Sequence, residues 1–254
     1  MTINPLIGEF FTHADENPDG WGYADFSSMP NTVITTPQRA DTSDEAAQLL
    51  AHPLKVTDAL AHIRKATIGH IEAANCHPFV AQDATQRSWT LMHKGTVFGY
   101  DPLSPYARTQ AGSTDSERVL LYLIDQLNLR VLELGVPLNA DERFAVFSEV
   151  TAAMSPGNAL ALIVFDGERF FVYANYEGAL QMASFDHGIV LCTSALSAAT
   201  LDTPAPALSF KPIPLCTPFV LAAGSLVRFG AKNNHVYTPR DEDTRYLYQD
   251  YAAL

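Results

Sequence analysis

A chain of 254 residues, 47% hydrophobic and 17% charged, is long enough to bury an ample core and suits one large domain or at most two small ones. Its net charge of −12, with 16 Lys and Arg against 28 Asp and Glu, excludes the basic stripe that a nucleic-acid partner requires and argues against an anionic membrane surface. No apolar run is long enough to span a bilayer, no signal-peptide pattern is present, and Cys76, Cys192 and Cys216 form too sparse and odd a set for a disulfide framework, so a cytoplasmic protein is expected.

Elements follow in chain order. Asn4 before Pro5 reads as a helix cap with a favoured first-turn proline, and Leu6, Ile7, Phe10 and Phe11 share one helical face. "ENPDGWGYADF" places a Pro-Asp-Gly turn before a strand carrying Trp21, Tyr23 and Phe26, with a close backbone approach expected at Gly22. Thr42 and Glu45 have capping-box spacing and predict a short helix. "ALAHIRKA" reads as a buried strand ending near Arg64, and "SWTLMHKG" as another. Thr114 and Glu117 cap a helix whose apolar stripe is Val119, Leu120, Leu123, Ile124 and Leu127. Asn139 and Glu142 open a second, with Phe144, Phe147, Val150 and Met154 facing inward.

The remainder is mainly strands: "ALALIVFDG" and "RFFVYAN" joined by an Asp166-Gly167 hairpin turn, then "GIVLCTSA" and "FVLAAGSLVRF". Residues 201–218 hold five of the 16 prolines and are expected to be an irregular surface connection, and the polar tail after 231 to be loosely held. Strands interrupted by a helix pair, then strands again, predict a layered α+β domain and not a dinucleotide-binding alternation. No phosphate-binding glycine loop is present, and no cofactor is expected.

Several residues invite a chemical role. Arg64, at a strand end, wants an anion such as a carboxylate, or else a structural ion pair. Asp115, in the first turn of a capped helix, suits the helix dipole and could equally hold a substrate ammonium. Gly95 ends "HKG", where backbone N–H groups could point at an oxyanion; the plain alternative is a turn glycine. His62, His70, His77 and His93 with Cys76 lack the paired spacing of a zinc motif, so no metal is expected. His62 reads as a satisfied core histidine; adjacent Cys76 and His77 point apart and cannot pair directly, although His13, His62 or His93 could supply a base from afar, and Cys76, followed by Pro78 and Phe79, reads as loop packing and Cys192 as core.

Taken in order, "ENPDGWGYADF", "AHIRKATIGH", "NCHPF", "WTLMHKGTVFGY" and "GSTDSERVLLYLI" closely resemble the class II glutamine amidotransferases, nearest the stand-alone YafJ-like branch. "CTSALS" and "PFVLAAGSLVRF" are similar to that branch's last strands. The resemblance covers about residues 2–230, leaving 231–254 as a tail. It implies an Ntn-hydrolase fold, a four-layer αββα sandwich, in one domain over 1–254. It also implies a small-molecule substrate, glutamine or a γ-glutamyl compound. Arg64 matches the arginine for the glutamine α-carboxylate, Thr67 a substrate-pocket threonine, Asp115 the aspartate for the α-amino group, and Gly95 the oxyanion glycine. The family's oxyanion asparagine is Lys94 here.

The family nucleophile is an N-terminal Cys on a strand preceding the helix that resembles "INPLIGEFF". Its own α-amine is the base: the thiolate attacks the side-chain amide, ammonia leaves, and a thioester is hydrolysed. Because the helix comes first here, the resemblance leads us to expect that strand upstream, in a longer parent chain. The alternative is a pseudo-amidotransferase that binds an amino acid without cleaving it. Thr2 as nucleophile and a separate Cys76-dependent hydrolase are the lesser readings.

Overall fold

In the computed structural model, which describes residues 2–185, 188–194, 196, 209–240 and 243, helix α1 (Asn4–Thr12) buries Leu6, Ile7 and Phe11. Pro5 sits in its first turn, where a missing N–H costs no helical bond. Asn4 does not cap this helix: its amide donates to the carbonyls of Leu50 (3.1 Å) and His52 (2.7 Å) and accepts from Leu54 N–H (2.7 Å). It ties α1 to the chain after helix α2 (Asp44–Leu50). The cap of α2 is Ser43, accepting from Ala46 N–H at 3.3 Å, while Thr42 ends a preceding 3₁₀ turn.

Among the described residues three sheets form, each with only antiparallel pairs. Strands β1 (Trp21–Asp25), β2 (Thr32–Thr36) and β3 (Ala59–Ile63) pair in the order β2-β1-β3. The largest sheet combines β4 (Phe79–Gln82), β5 (Ser88–Thr96), β6 (Ala159–Phe165), β7 (Phe170–Ala174), β11 (Phe219–Ala222) and β12 (Ser225–Phe229) in the order β12-β11-β7-β6-β5-β4. The third, β10-β8-β9, uses β8 (Gln181–Phe185), β9 (Gly188–Cys192) and β10 (Lys211–Pro212).

Helices α3 (Asp115–Leu134) and α4 (Ala140–Met154) cover one face of the six-stranded sheet. Every inward residue predicted for them is buried. Asn139 and Glu142 make the full reciprocal cap of α4. At α3 only half of the box forms: Thr114 accepts from Glu117 N–H at 3.2 Å, but the Glu117 carboxylate turns to Ala111 and Gly112 N–H. α3 stops at Gly135, whose φ of 70° favours glycine.

Alternation sorts the strand residues between layers. Leu160, Leu162 and Val164 of β6 face α3 and α4, whereas Ala161, Ile163 and Phe165 face the two small sheets. Ile63 of β3 packs under α1 with Trp21 and Tyr23, leaving Leu60, and with it His62 and Arg64, on the inter-sheet face. The order of layers is therefore α1 and α2, two small sheets, the large sheet, then α3 and α4. This is the expected α+β four-layer arrangement.

Beyond the helix caps, the structure differs from the sequence reading in several strands and in the later chain. "FVLAAGSLVRF" is two strands, folded back at Ala223 and Gly224, both with positive φ. Strands β2, β4 and β8 carry weak alternation and were not anticipated; β2 is a partly exposed Thr-rich strand. Residues 233–237 are held down: Asn233 N–H reaches Cys216 O (2.8 Å), Tyr237 N–H reaches Asn175 O (2.8 Å), and the buried Tyr237 ring stacks on Phe98; the tail over 244–254 lies outside the described residues. The proline-rich connection is outside the described residues over 201–208; beyond it lie β10 and the buried Ile213.

Candidate active site

A cavity of about 1180 Å³ opens between the large sheet and the two small ones, and Arg64, Thr67, Lys94, Gly95 and Asp115 all line it. The five positions singled out from sequence thus converge, although up to 51 residues separate them in the chain.

Arg64 follows β3 directly. Its N–H donates to Gly20 O (2.7 Å) and its C=O accepts from Asp19 N–H (2.9 Å), while the Asp19 carboxylate accepts from Ala66 N–H (2.7 Å). The Pro-Asp-Gly turn before β1 therefore grips both sides of the Arg64 backbone. The buried guanidinium donates to three carbonyls of the following loop, His70 (3.0 Å), Ile68 (3.2 Å) and Gly69 (3.2 Å). It forms no ion pair among the described residues, and desolvation lowers its pKa. A buried cation held by neutral dipoles keeps its charge available to an anionic ligand.

Asn75, not anticipated from sequence, holds that loop against the entry to α3. Its amide donates to His70 O (2.9 Å) and Ser113 Oγ (2.9 Å), and accepts from Ser113 N–H (2.6 Å). Only its place in "NCHPF" pointed to it. Two residues past Ser113, Asp115 begins α3, and one of its carboxylate oxygens accepts from Val97 N–H at 2.7 Å. The other oxygen has no partner among the described residues. Thr96 donates to Thr67 Oγ1 at 3.3 Å.

Gly95 answers a steric demand. It has φ of 140°, and a Cβ there would lie 2.0 Å from Ala159 O and 2.9 Å from His93 Nε2. It is therefore more than a turn glycine: the strand runs on to Thr96. Tyr176 donates to Lys94 O at 3.3 Å from the far side of β6. Because C=O and N–H of one trans peptide point in opposite directions, the Gly95 N–H is turned away from β6. That direction leaves it free of the β5–β6 ladder, as an oxyanion donor requires.

His93 braces this turn. Its Nε2 lies 3.3 Å from Ala159 O, a pure acceptor, so Nε2 carries the proton and Nδ1 accepts from Ser116 Oγ at 2.9 Å. Lys94 alternates to the opposite face, toward the cavity with Met92. Its side chain keeps contact with solvent, yet the surrounding protein desolvates the amine and lowers its pKa.

His62 is not the satisfied core histidine the sequence suggested. Its Nδ1 is buried without a partner, and burial lowers its pKa to about 3. Cys76 is inert: buried, its thiol donates to Thr36 O (3.2 Å) and Glu72 O (3.4 Å), and desolvation raises its pKa to about 11. Among the described residues no helix is long and apolar enough to cross a membrane.

The layering is that of the Ntn-type glutamine amidotransferases. A Pseudomonas aeruginosa protein described as a predicted glutamine amidotransferase superposes with a TM-score of 0.60 at 17% identity, over 83% of this chain and 87% of that one. Glutamine phosphoribosylpyrophosphate amidotransferase from B. subtilis superposes with a TM-score of 0.59 at 15% identity, over 91% of this chain and 47% of that one. These likenesses concern the fold.

In sequence, residues 10–188 match the class II glutamine amidotransferase family, and the chain belongs to that family. It is 27% identical to the YafJ protein of Escherichia coli over 157 residues, 62% of this chain and 60% of that protein. It is 28% identical to the uncharacterized protein MJ1515 of Methanocaldococcus jannaschii over 182 residues, 72% of this chain and 50% of that protein. The chain spans about half to three-fifths of the length of the curated relatives it matches.

Proposed function

We propose that this domain hydrolyses a side-chain amide, releasing ammonia from glutamine or cleaving a γ-glutamyl compound. The observation that carries this is the convergence of Arg64, Asp115 and Gly95 on one cavity. Arg64 takes the substrate α-carboxylate and Asp115 the α-ammonium, so a free amino acid end is selected over a peptide. Thr67 borders the substrate beside them. The Gly95 N–H, with the Lys94 ammonium beside it, stabilises the oxyanion as the amide carbonyl becomes tetrahedral. A cysteine thiolate forms the C–S bond, the C–N bond breaks as ammonia leaves with a proton, and water then cleaves the thioester to the acid.

The thiolate is supplied on a further strand. Strand β3 pairs only with β1, and β9 only with β8, among the described residues. The free edges of both border the same cavity, and α1 crosses outside them, with Ile7 and Phe11 over β1 and Leu6 against Leu196 and Val190. One strand seated there would satisfy both edges and join the two small sheets. No other thiol fits the role: Cys76 is engaged, and Cys192 and Cys216 are buried with raised pKa values.

The test is to sequence the locus immediately upstream of the Met1 codon and assay glutamate release by the resulting protein. An in-frame Met-Cys strand whose product is active, and inactive as Arg64→Ala, supports the reading. A stop codon with no such strand overturns hydrolysis. A second reading, a silent amino-acid-binding domain, is favoured by Lys94 standing where the family has an amide.

A further inference from the structure

The turn that presents the Gly95 N–H is held by residues that carried no sequence signal. Asn175, the residue after β7, has its polar groups engaged. Its N–H donates to Leu160 O (3.0 Å) and its C=O accepts from Tyr237 N–H (2.8 Å). Its side-chain amide accepts from Leu160 N–H (2.8 Å) and donates to Asn158 O (2.9 Å) and His235 O (3.2 Å). The chain is therefore fixed immediately before Tyr176. The half-buried Tyr176 ring lines the cavity and packs against the cluster that holds Ala161 and Ala174. Ala161 of β6 pairs with Ala174 on one side and with Lys94 on the other. Short side chains at both alanines let the ring cross β6, and its hydroxyl donates to Lys94 O at 3.3 Å.

The segment after β12 braces this arrangement. Tyr237 meets the Tyr176 ring edge-on, with centroids 6.3 Å apart, and stacks on Phe98 at 5.7 Å. Arg240 lies over Phe98 at 5.9 Å and donates to Asp243 (2.8 Å), which also accepts from the Tyr237 hydroxyl. Lys94 and Phe98 lie on either side of Gly95, so the same segment steadies the turn from both ends. A hydrogen bond accepted by Lys94 O acts on Gly95 in two ways. The peptide between them is planar, so fixing its C=O fixes the opposite direction of its N–H. Polarising the C=O also makes that N–H a stronger donor. Both effects gain weight as negative charge develops on the substrate oxygen, so they favour the transition state over the bound substrate.

We propose that Tyr176 is a positioning residue for the oxyanion hole: its hydroxyl holds the Lys94–Gly95 peptide with the N–H toward the reacting carbonyl, and Tyr237 keeps the Tyr176 ring in place. The assignment rests on the proposed hydrolysis, in which the Gly95 N–H is the donor.

The experiment has two arms. Lys94–Gly95 is the one Lys-Gly pair in the sequence. Isotopic labelling of lysine at its carbonyl carbon and of glycine at nitrogen therefore leaves a single carbonyl–amide correlation in the NMR spectrum of the full chain. In Tyr176→Phe, which keeps the ring, the Lys94 carbonyl signal is expected to move upfield and the Gly95 amide with it, while the remote Gly135 and Gly167 amides stay in place. An unmoved carbonyl overturns the hydrogen bond and the proposal. In the protein that carries the nucleophile, Tyr176→Phe is expected to lower kcat for glutamate release about 5–10-fold, the scale of one hydrogen bond, with KM within about 2-fold. Tyr237→Leu is expected to lower kcat by less, and to add nothing once the Tyr176 hydroxyl is gone. An unchanged kcat, or a loss that appears in KM instead, overturns the positioning role and leaves hydrolysis standing; additive losses overturn the bracing by Tyr237. If wild type releases no glutamate, the proposed hydrolysis is overturned and the oxyanion role with it, even where the Lys94 carbonyl moves.

Discussion

The two halves of the sandwich treat their polar groups differently. Behind the six-stranded sheet, buried polar side chains are paired. Arg143 bonds Asp166 (2.6 Å), Glu168 (2.8 Å) and Leu138 O (3.0 Å), pinning the β6–β7 hairpin to α4. Asn175 accepts from Leu160 N–H and donates to Asn158 O (2.8 and 2.9 Å). Across the cavity, in and against the β2-β1-β3 sheet, lie all the buried side-chain nitrogens and oxygens without a partner among the described residues: Trp21 Nε1, Tyr23 OH, His62 Nδ1 and both nitrogens of His77. One half is built for stability. The other holds unsatisfied hydrogen-bonding capacity, at His62 and His77 beside the cavity and at Trp21 and Tyr23 under α1, together with two sheet edges open among the described residues, which costs folding free energy.

The largest effect is expected where the paired half is broken. Arg143→Ala strands the Asp166 carboxylate in the core and should cost ~3–5 kcal/mol in urea unfolding. A loss under 1 kcal/mol would mean that the pairing contributes little and the contrast between the halves fails. Gly95→Ala comes next: with φ of 140° and backbone 2.0 Å from the new methyl, a loss of about 2–3 kcal/mol is expected, visible as a lower Tm.

Acidification probes the unsatisfied half. The folded His62 imidazole has its pKa lowered to about 3, below that of an unfolded histidine, so between those values the unfolded chain binds the extra proton. Stability should therefore fall as pH drops from about 6.5 toward 3, by up to ~1.4 kcal/mol per pH unit for one such group. His77, lowered in the same direction by burial, adds to the slope. Denaturation midpoints across that range should show a smaller acid loss in His62→Phe; an unchanged slope would place the effect elsewhere. The smallest change is a gain. His77→Phe removes two unpartnered nitrogens and should raise stability of the ligand-free chain by about 1 kcal/mol. A loss larger than that would show that these nitrogens are already satisfied.

The helices were legible because their signals are local. Capping residues and a 3.6-residue stripe specify α3 and α4 within a window of twenty residues. The long strands β5 and β6 were legible as apolar runs; β2, β4 and β8 were not, being short and half exposed, so their pattern depends on neighbours in space. The site was legible as an ordered set of motifs, each weak alone. Arg64 by itself read equally as a structural ion pair, and only the fold shows its charge held by carbonyls and facing a cavity. Asn75 and Asp19, which hold the segments around Arg64, escaped notice because buried amide and turn residues have no distinctive spacing.

By itself the sequence determined the layered α+β class and the helix pair with its inward faces, and its ordered motifs pointed to Arg64, Thr67, Gly95 and Asp115 through resemblance to the family. Periodicity, caps and short motifs operate over a few residues. The tertiary structure alone decided that His62 Nδ1 lacks a partner, that the Cys76 thiol is buried and hydrogen-bonded, that Tyr237 and its segment are held down, and that β3 and β9 present edges to one cavity that are open among the described residues. Each of these depends on what lies within hydrogen-bonding distance across the fold, and separation along the chain carries no information about that distance.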